Sequence, residues 1–393
     1  MQRLTARDGP ASQPPSKRQE LGRAAPVLAA FVAIKLLGLA VLTAFATASG
    51  RDMHRLLTSW DAQWYAGISR DGYGFVRIHE NGRHLSDFAF FPLYPLLERL
   101  VAHVTGLHHV DAGLVVSWLA SLAAAWGIFA VADHLYGRRV GALVTVLWAA
   151  LPVSIVQSMA YSESLFTALA AWSLYVVLTE RWVWAGLFAC LAGMTRPVGA
   201  AVVAAVVVAV LLRGFRVVRG DLTGPISRST VPRLVLAAVV APLGWFGYVG
   251  WVGWRTGNPT GYFTVSGDWG NTVDGGSAFA KWIGAFLVTS DFLLGVAICL
   301  GLALLGWLFV LCIRERQPLP SLIFSGALIL VALTTSGYFG SKPRYLLPAF
   351  PLLMPIALWL ARRSLPVVIS VLGLMIASTA VYGSFWLLGP GPP

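Results

Sequence analysis

The fold of this 393-residue chain is decided by the stretch 24–49, AAPVLAAFVAIKLLGLAVLTAFATAS, in which Lys35 is the one charged residue. A transmembrane helix needs about 20 predominantly apolar residues to cross a hydrocarbon core of about 30 Å. The stretch is long enough for this, is too long for the core of a signal peptide, and lacks a convincing cleavage site. It therefore predicts a membrane span that is retained.

The same apolar pattern returns along the chain. Hydrophobic residues make up 57% of the sequence and charged residues only 12%, against about 25% charged residues in soluble domains. We therefore expect an all-α polytopic membrane protein with about eleven transmembrane helices in one membrane domain, 24–388, between a disordered tail, 1–23, and a short tail, 389–393. Further runs lie near 112–132, 140–159, 164–180, 182–195, 197–213, 233–254, 291–313, 320–337, 345–361 and 366–388.

The basic residues predict the orientation of these spans. Short cytoplasmic loops carry an excess of Lys and Arg. With the N-terminus in the cytoplasm, more than half of the 29 basic residues fall in inner segments, among them Arg138 and Arg139. The C-terminus and two long segments, 50–111 and 255–290, then lie outside. The net charge of +12 is thus explained by membrane orientation rather than by nucleic-acid binding.

The first outer segment contains apolar stretches that are too short to span a membrane. They lie at Phe88–Leu97 and Leu100–Leu107. Such stretches are typical of amphipathic helices that lie flat in the membrane interface. We expect two interfacial helices here.

An acid stands among aromatic residues in the same segment, in Ser59-Trp60-Asp61-Ala62-Gln63-Trp64-Tyr65. Interfacial aromatic belts explain Trp and Tyr but not the acid between them. Asp61 is therefore our candidate for a general base. Asp71, before Gly72, is typical of a turn. Asp87 is either a helix N-cap or a second acid near Asp61.

Three more charged residues lie at the predicted outer ends of spans. Glu163 follows Ser162, which could cap the helix, and an acid in the first turn suits the helix dipole; alternatively Glu163 binds substrate hydroxyls or a basic residue. Arg196 and Arg344 either reach to lipid headgroups or bind a phosphate, whose oxygens match the guanidinium fork.

Several site classes are absent from the sequence. It contains no phosphate-binding P-loop and no Gly-x-Gly-x-x-Gly after a strand. The histidines of the first outer segment have no zinc-helix spacing, and the three cysteines lie in apolar runs, as small buried side chains do. The sequence identifies no cofactor, and a divalent metal, although possible, has no support in it.

The order of short motifs on the outer face carries a resemblance. After Trp60–Tyr65 come Phe90-Phe91-Pro92-Leu93-Tyr94-Pro95, Tyr161-Ser162-Glu163-Ser164, Thr195-Arg196-Pro197, Gly257-Asn258-Pro259 and Pro343-Arg344-Tyr345-Leu346-Leu347-Pro348. In this order the chain resembles the PIG-V-like mannosyltransferases, the GPI mannosyltransferase 2 family, within the GT-C class of membrane glycosyltransferases.

This resemblance implies a GT-C-type helix bundle and a chemistry. Members transfer a sugar, typically from polyprenyl-phosphate mannose, on the outer or lumenal face with inversion, and the position of their essential acid matches Asp61. The Ala-, Val-, Gly- and Arg-rich composition is typical of a high-GC bacterium such as an actinobacterium. The acceptor would then be an envelope glycolipid or glycan.

The expected site has three parts. Asp61 is the base. The substrate is bound by Trp60, Gln63, Trp64, Tyr65, Asp87 and Glu163, and the donor phosphate by Arg196, Lys342, Arg344 and Tyr345. The alternative function is a transporter or flippase for a lipid-linked sugar, which should carry charges deep within its spans. Only Lys35 lies well inside an apolar run, which favours the enzyme.

Overall fold

The computed structural model describes residues 17–79, 82–219, 230–389 and 391, with side chains from residue 22 onward. These residues form mainly helices and one antiparallel pair of strands, β1 (Val76–Ile78) and β2 (His84–Ser86). The helices are α1 (Lys17–Ala48), α2 (Met53–Leu57), α3 (Asp61–Asp71), α4 (Leu93–Thr105), α5 (His109–Tyr136), α6 (Arg138–Ala149), α7 (Glu163–Leu178), α8 (Trp182–Gly193), α9 (Ala200–Arg219), α10 (Thr230–Thr256), α11 (Gly261–Asp268), α12 (Ser277–Leu287), α13 (Phe292–Arg314), α14 (Leu319–Thr334), α15 (Lys342–Tyr345), α16 (Met354–Ala361) and α17 (Leu365–Leu387). The expected tail 1–23 lies largely outside the described residues.

The structure confirms an all-α polytopic membrane protein. Among the described residues, six helices are long and apolar enough to cross a membrane: α1, α5, α9 with its preceding turn, α10, α13 and α17. The bent pair Phe339–Tyr345 and Phe350–Ala361, at 78°, is a possible seventh span. The other four predicted runs are also helical but shorter. They form α6 and α8, with 12 residues each, and α7 and α14, with 16 residues each.

Small residues let the central helices approach each other closely. A Cβ on Gly186 of α8 would lie 2.8 Å from Cα of Ala237 of α10. A Cβ on Gly193 would lie 2.8 Å from the backbone nitrogen of Trp245, also in α10. Within a membrane, close backbone approach supplies much of the van der Waals attraction between helices. The glycines of α8 therefore fix the packing of α8 on α10, and with it the loop that follows α8.

The segment 50–111, which was predicted to lie outside, differs in detail from its prediction. One helix, α4, replaces the two expected interfacial helices, because Pro92 and Pro95 suit its start and Gly106, in the left-handed region, ends it. Residues Asp87–Ala89 form a 3-10 turn instead. Leu96, Leu100 and Val104 are exposed on one face of α4, while its other face packs on α5. This apolar exposed face is typical of a helix at a membrane interface.

Candidate functional site

Asp61 occupies the first turn of α3, after a strained residue. Trp60 has φ 61° and ψ −119°, which is the conformation of the first central residue of a type II′ turn and usually requires glycine. Its indole is 46% exposed. Strain of this kind is concentrated at functional sites, and here it turns the chain so that Asp61 begins a helix.

Four charged side chains from distant parts of the chain meet at Asp61. An Nη1 atom of Arg344 lies 2.9 Å from Oδ2 of Asp61, and Nε of the same guanidinium lies 3.1 Å from Oε1 of Glu163. Nη1 of Arg196 lies 2.5 Å from the same Glu163 oxygen. We call Asp61, Glu163, Arg196 and Arg344 the ionic cluster. Two carboxylates and two guanidiniums balance each other within it.

Burial within the ionic cluster is uneven. The Glu163 side chain is 1% exposed and that of Arg344 is 7% exposed, whereas that of Asp61 is 24% exposed. Buried charges are stable only when they are paired, and each of these is. Because Asp61 is the most exposed member, a substrate can approach the ionic cluster from the side of Asp61.

Three members of the ionic cluster lie at helix ends or at breaks between helices. Glu163 is the first residue of α7, Arg196 has extended backbone between α8 and a 3-10 turn, and Arg344 lies in the single-turn helix α15. Non-helical backbone is tolerated at membrane depth where it is buried in protein or lines a cavity. The breaks between helices therefore bring these charges to one point.

The residues Tyr65 and Ser162 support the ionic cluster. The Tyr65 and Ser162 hydroxyls lie 2.7 Å apart, and Nη1 of Arg196 donates to Oγ of Ser162 at 3.2 Å. The proposed cap role of Ser162 is wrong: its side chain makes no cap hydrogen bond to α7, because its hydroxyl is engaged by Tyr65 and Arg196. Tyr65 is thus a positioning residue for Arg196.

Tyr161 also belongs to the site, although its sequence gave no reason to predict it. The Arg344 guanidinium lies 5.2 Å from the centre of its ring and 5.9 Å from that of Tyr345. The Tyr161 hydroxyl is buried, and neither it nor either carboxyl oxygen of Glu163 has a hydrogen-bond partner among the described residues; Oε1 of Glu163 is held by its ion pairs with Arg196 and Arg344 instead. Only its position beside Ser162-Glu163 in a quoted motif could have indicated it.

Asp87 lies outside the ionic cluster and is bound by backbone N–H groups. Its Oδ2 accepts hydrogen bonds of 2.9 Å from the backbone N–H groups of Gly74 and Phe75, and burial raises the pKa of its carboxyl. The N-cap interpretation of Asp87 is wrong, since Ser86 caps the 3-10 turn that Asp87 begins. Asp87 therefore fastens the β1 loop, and its substrate role stays a prediction.

Trp64 belongs to an aromatic cluster that joins the two long outer segments. Its ring centre lies 5.6 Å from that of Phe90, 5.5 Å from that of Phe75 and 4.9 Å from that of Trp269. Trp269 comes from the second segment and donates to the Ser86 carbonyl. Gln63 is exposed and donates to the Thr58 carbonyl at 2.7 Å.

Lys342 is directed away from the ionic cluster, although it lies two residues before Arg344. Its Nζ donates to the carbonyls of Ala332 and Thr335 at 2.5 and 2.6 Å, at the end of α14. It also lies 4.6 Å from the ring centre of Phe279. Cations often satisfy carbonyls at helix C-termini in this way.

Within the described part of the chain, no group of three or more His, Cys, Asp or Glu could hold a metal ion.

Comparisons with known proteins show the fold. No family model and no curated protein matches the chain. Two crystal structures of ArnT from Cupriavidus metallidurans are similar. The structure bound to undecaprenyl phosphate has a TM-score of 0.54 at 18% identity, over 91% of this chain and 63% of that one. The apo structure has a TM-score of 0.51 at 20% identity, over 87% and 60%.

The chain thus spans less than two thirds of the length of these ArnT chains. The PIG-V-like family and the actinobacterial source stay predictions. The chain therefore has the fold of these two ArnT structures, and the expected GT-C-type helix bundle is confirmed at the level of the fold.

Proposed function

We propose that this protein is an inverting glycosyltransferase. It moves a mannosyl or other hexosyl residue from a polyprenyl-phosphate sugar to an envelope glycolipid or glycan on the outer face of the membrane. The observation that carries the proposal is the contact between the partly exposed Asp61 carboxylate and the buried Arg344 guanidinium. A base and a cation lie side by side, as transfer from a lipid phosphate requires.

Asp61 acts as the base of a single displacement. An inverting transfer needs one carboxylate to activate the attacking group, without a covalent intermediate. Asp61 takes the proton of an acceptor hydroxyl while that oxygen bonds to the anomeric carbon. The bond between that carbon and the phosphate oxygen breaks, and its electrons leave with the phosphate. Tyr65, through Ser162, and Glu163 hold the neighbouring guanidiniums in place.

Arg344 stabilises the leaving phosphate. This group needs no proton at neutral pH, but it needs positive charge as the bond breaks. Arg344 has carboxylates on two of its nitrogens, so its fork is fixed in orientation before the substrate arrives. Arg196 adds a second guanidinium through the shared Glu163, and Tyr345 flanks Arg344. We assign Lys342 a weaker, indirect role, since its ammonium is engaged by α14.

An exposed aromatic residue beside Asp61 is suited to bind a sugar ring. The Trp60 indole adjoins the base and is half exposed, and aromatic faces stack on apolar sugar surfaces. Trp64 holds the loop through the aromatic cluster instead. Trp60 and Gln63 are thus the expected contacts of the acceptor.

An apolar cavity of about 320 Å³ suits the prenyl chain. It is lined by residues of α8 and α10 with Tyr73 and Pro92, and one of its lining residues, Met194, lies two positions before Arg196. A Cβ added at Gly247, which lines it, or at Gly250, which does not, meets no atom within 4 Å. We expect Gly247→Leu to raise the donor KM about tenfold and Gly250→Leu to leave it unchanged. Equal donor KM values in the two variants would contradict this position of the chain.

The decisive experiment uses the two ends of α3. Asp61→Asn removes the base, and we expect it to lower transfer from radiolabelled polyprenyl-phosphate mannose by about 10²-fold or more. Asp71→Asn is the matched control, because Asp71 is exposed and pairs only with its neighbour Arg70 among the described residues. It should retain wild-type turnover. Membranes of the deletion strain carrying each variant supply the acceptor.

Other outcomes of the same assay oppose the proposal. Wild-type turnover in Asp61→Asn would contradict the base assignment. Redistribution of label across the membrane without transfer would favour the transporter. Arg344→Ala should weaken donor binding more than acceptor binding, and equal donor affinity in variant and wild type would remove its phosphate role.

A further inference from the structure

The Tyr161 hydroxyl has no acceptor for its proton among the described residues, although the backbone N–H of Asp61 approaches its oxygen. The Tyr161 side chain is fully buried. Other buried tyrosines nearby differ. The Tyr65 hydroxyl is bound to Ser162, and the Tyr94 hydroxyl donates to the Gly113 carbonyl at 2.8 Å. A buried donor without an acceptor costs about 1–3 kcal/mol. Tyr161 carries this cost in the described protein, whereas Tyr65 and Tyr94 do not.

The backbone fixes the position of Tyr161 without help from its hydroxyl. The Tyr161 N–H donates to Oγ of Ser117 at 3.1 Å, and that hydroxyl donates to the Tyr161 carbonyl at 2.7 Å. The N–H of Ala160 donates to the Leu57 carbonyl at 3.1 Å. The hydroxyl is therefore free to serve a ligand, because the ring is already held.

The hydroxyl lies beside the charges of the site and keeps its proton. Burial, and next the charge of Asp61, raise the pKa of Tyr161 well above its ordinary value. The ring lies against the Arg344 guanidinium, at 5.2 Å. A protonated phenol that flanks a cation can donate a hydrogen bond to an anion that this cation binds.

We propose that the Tyr161 hydroxyl donates a hydrogen bond to a non-bridging phosphate oxygen of the polyprenyl-phosphate sugar that Arg344 holds. This rests on the proposed function and adds a second contact to the donor phosphate. The phosphate supplies the acceptor that the folded chain lacks, and the unpaired hydroxyl is satisfied only in the complex.

The experiment is a titration of the full chain in lipid nanodiscs with undecaprenyl phosphate. Tyr161→Phe keeps the ring against Arg344 and removes only the hydroxyl. We expect its dissociation constant to rise about tenfold, equivalent to about 1.4 kcal/mol, with an unchanged acceptor KM. Tyr136→Phe, at the opposite end of α5 from the site, is the matched control and should bind as the wild type does.

Thermal unfolding separates ligand binding from a structural role. Without ligand, Tyr161→Phe should unfold near the wild-type temperature, because the hydroxyl proton has no acceptor in the described protein and only the approach of the Asp61 backbone N–H to the hydroxyl oxygen is lost; a large fall in that temperature would overturn the inference. Wild-type affinity in Tyr161→Phe would also overturn it and leave the proposed function intact. Failure of the wild-type protein to bind undecaprenyl phosphate would instead contradict the proposed function, and the inference with it.

Discussion

Two glutamates are equally buried in this protein and have opposite surroundings. Glu163 is 1% exposed and lies in the ionic cluster, with Arg196 at 2.5 Å and Arg344 at 3.1 Å. Glu98 of α4 is 0% exposed, and among the described residues its carboxyl has no ion pair to match those of Glu163, nor a hydrogen-bond partner. Two guanidiniums favour the charged form of Glu163, whereas burial raises the pKa of Glu98 well above its ordinary value of 4.5.

The neighbour of Glu98 explains how it fits. A Cβ on Gly113 of α5 would lie 2.1 Å from Oε1 of Glu98 and 3.2 Å from the Ala160 Cβ. The missing side chain of Gly113 thus leaves the space that the Glu98 carboxyl fills. Burial alone does not define a site in this protein: the same residue type is part of a charge network at Glu163 and a neutral packing element at Glu98.

The largest expected effect comes from Glu163→Gln. This change keeps the shape of the side chain but leaves Arg196 without a carboxylate partner and Arg344 with Asp61 alone. Breaking a buried ion pair by removing one partner costs about 3–5 kcal/mol, so we expect a large fall in the unfolding temperature and a loss of transfer activity. Thermal unfolding in detergent and the radiolabel assay measure the two effects.

A second substitution checks the cause of that effect. Arg196→Gln in the Glu163→Gln background removes the unpaired guanidinium. The double variant should regain part of the lost stability while it stays inactive. If it is less stable than Glu163→Gln alone, the destabilisation does not arise from an uncompensated charge at Arg196.

Glu98→Met should act in the opposite direction. The carboxyl is protonated in the folded state at pH values where it is ionised in the unfolded state. The contribution of Glu98 to the free energy of unfolding is therefore fully present below about pH 4.5, and it is lost as the pH rises toward the pKa of Glu98 in the folded state. Met removes the ionisable group, so Glu98→Met should be more stable than the wild type at neutral pH by about 1–3 kcal/mol.

The pH dependence gives the sharper measurement. Unfolding temperatures of wild type and Glu98→Met should converge at acid pH and separate as the pH rises. Parallel curves at all pH values would mean that the protonation state of Glu98 does not change on unfolding. Glu98 would then be ionised in the folded protein, as Glu163 is. Transfer activity should be unchanged, since Glu98 lies outside the ionic cluster.

The sequence predicted the membrane fold because apolar runs are a local signal. All eleven runs contain helix, but their lengths depend on breaks that local composition does not mark, such as the turn between Tyr345 and Phe350 in the bent pair. The two interfacial helices became one because Pro92 and Pro95 suit a helix start as well as a break. Hydropathy reports burial from water and does not separate lipid from protein.

The sequence also predicted every member of the ionic cluster but none of their pairings. Asp61, Glu163, Arg196 and Arg344 each stood out as a charge at a span boundary, and which of them touch is decided by tertiary packing. Lys342 and Arg344 show this most clearly. They lie two residues apart, yet one binds carbonyls of α14 and the other two carboxylates. Tyr161 carries no charge and gave no local signal.

The smallest expected effect concerns the backbone strain at Trp60, next to the ionic cluster. Trp60 holds φ 61° just before Asp61, while Glu98 lies in regular helix. Trp60→Ala and Trp60→Gly both remove the indole, so both should lose the same share of acceptor binding. Glycine adopts this backbone conformation without a steric penalty, so Trp60→Gly should be the more stable of the two by about 1 kcal/mol. Thermal unfolding of the pair measures the difference. Equal stabilities would mean that the backbone at Trp60 relaxes in solution, and the orientation of Asp61 would then depend on Arg344 alone.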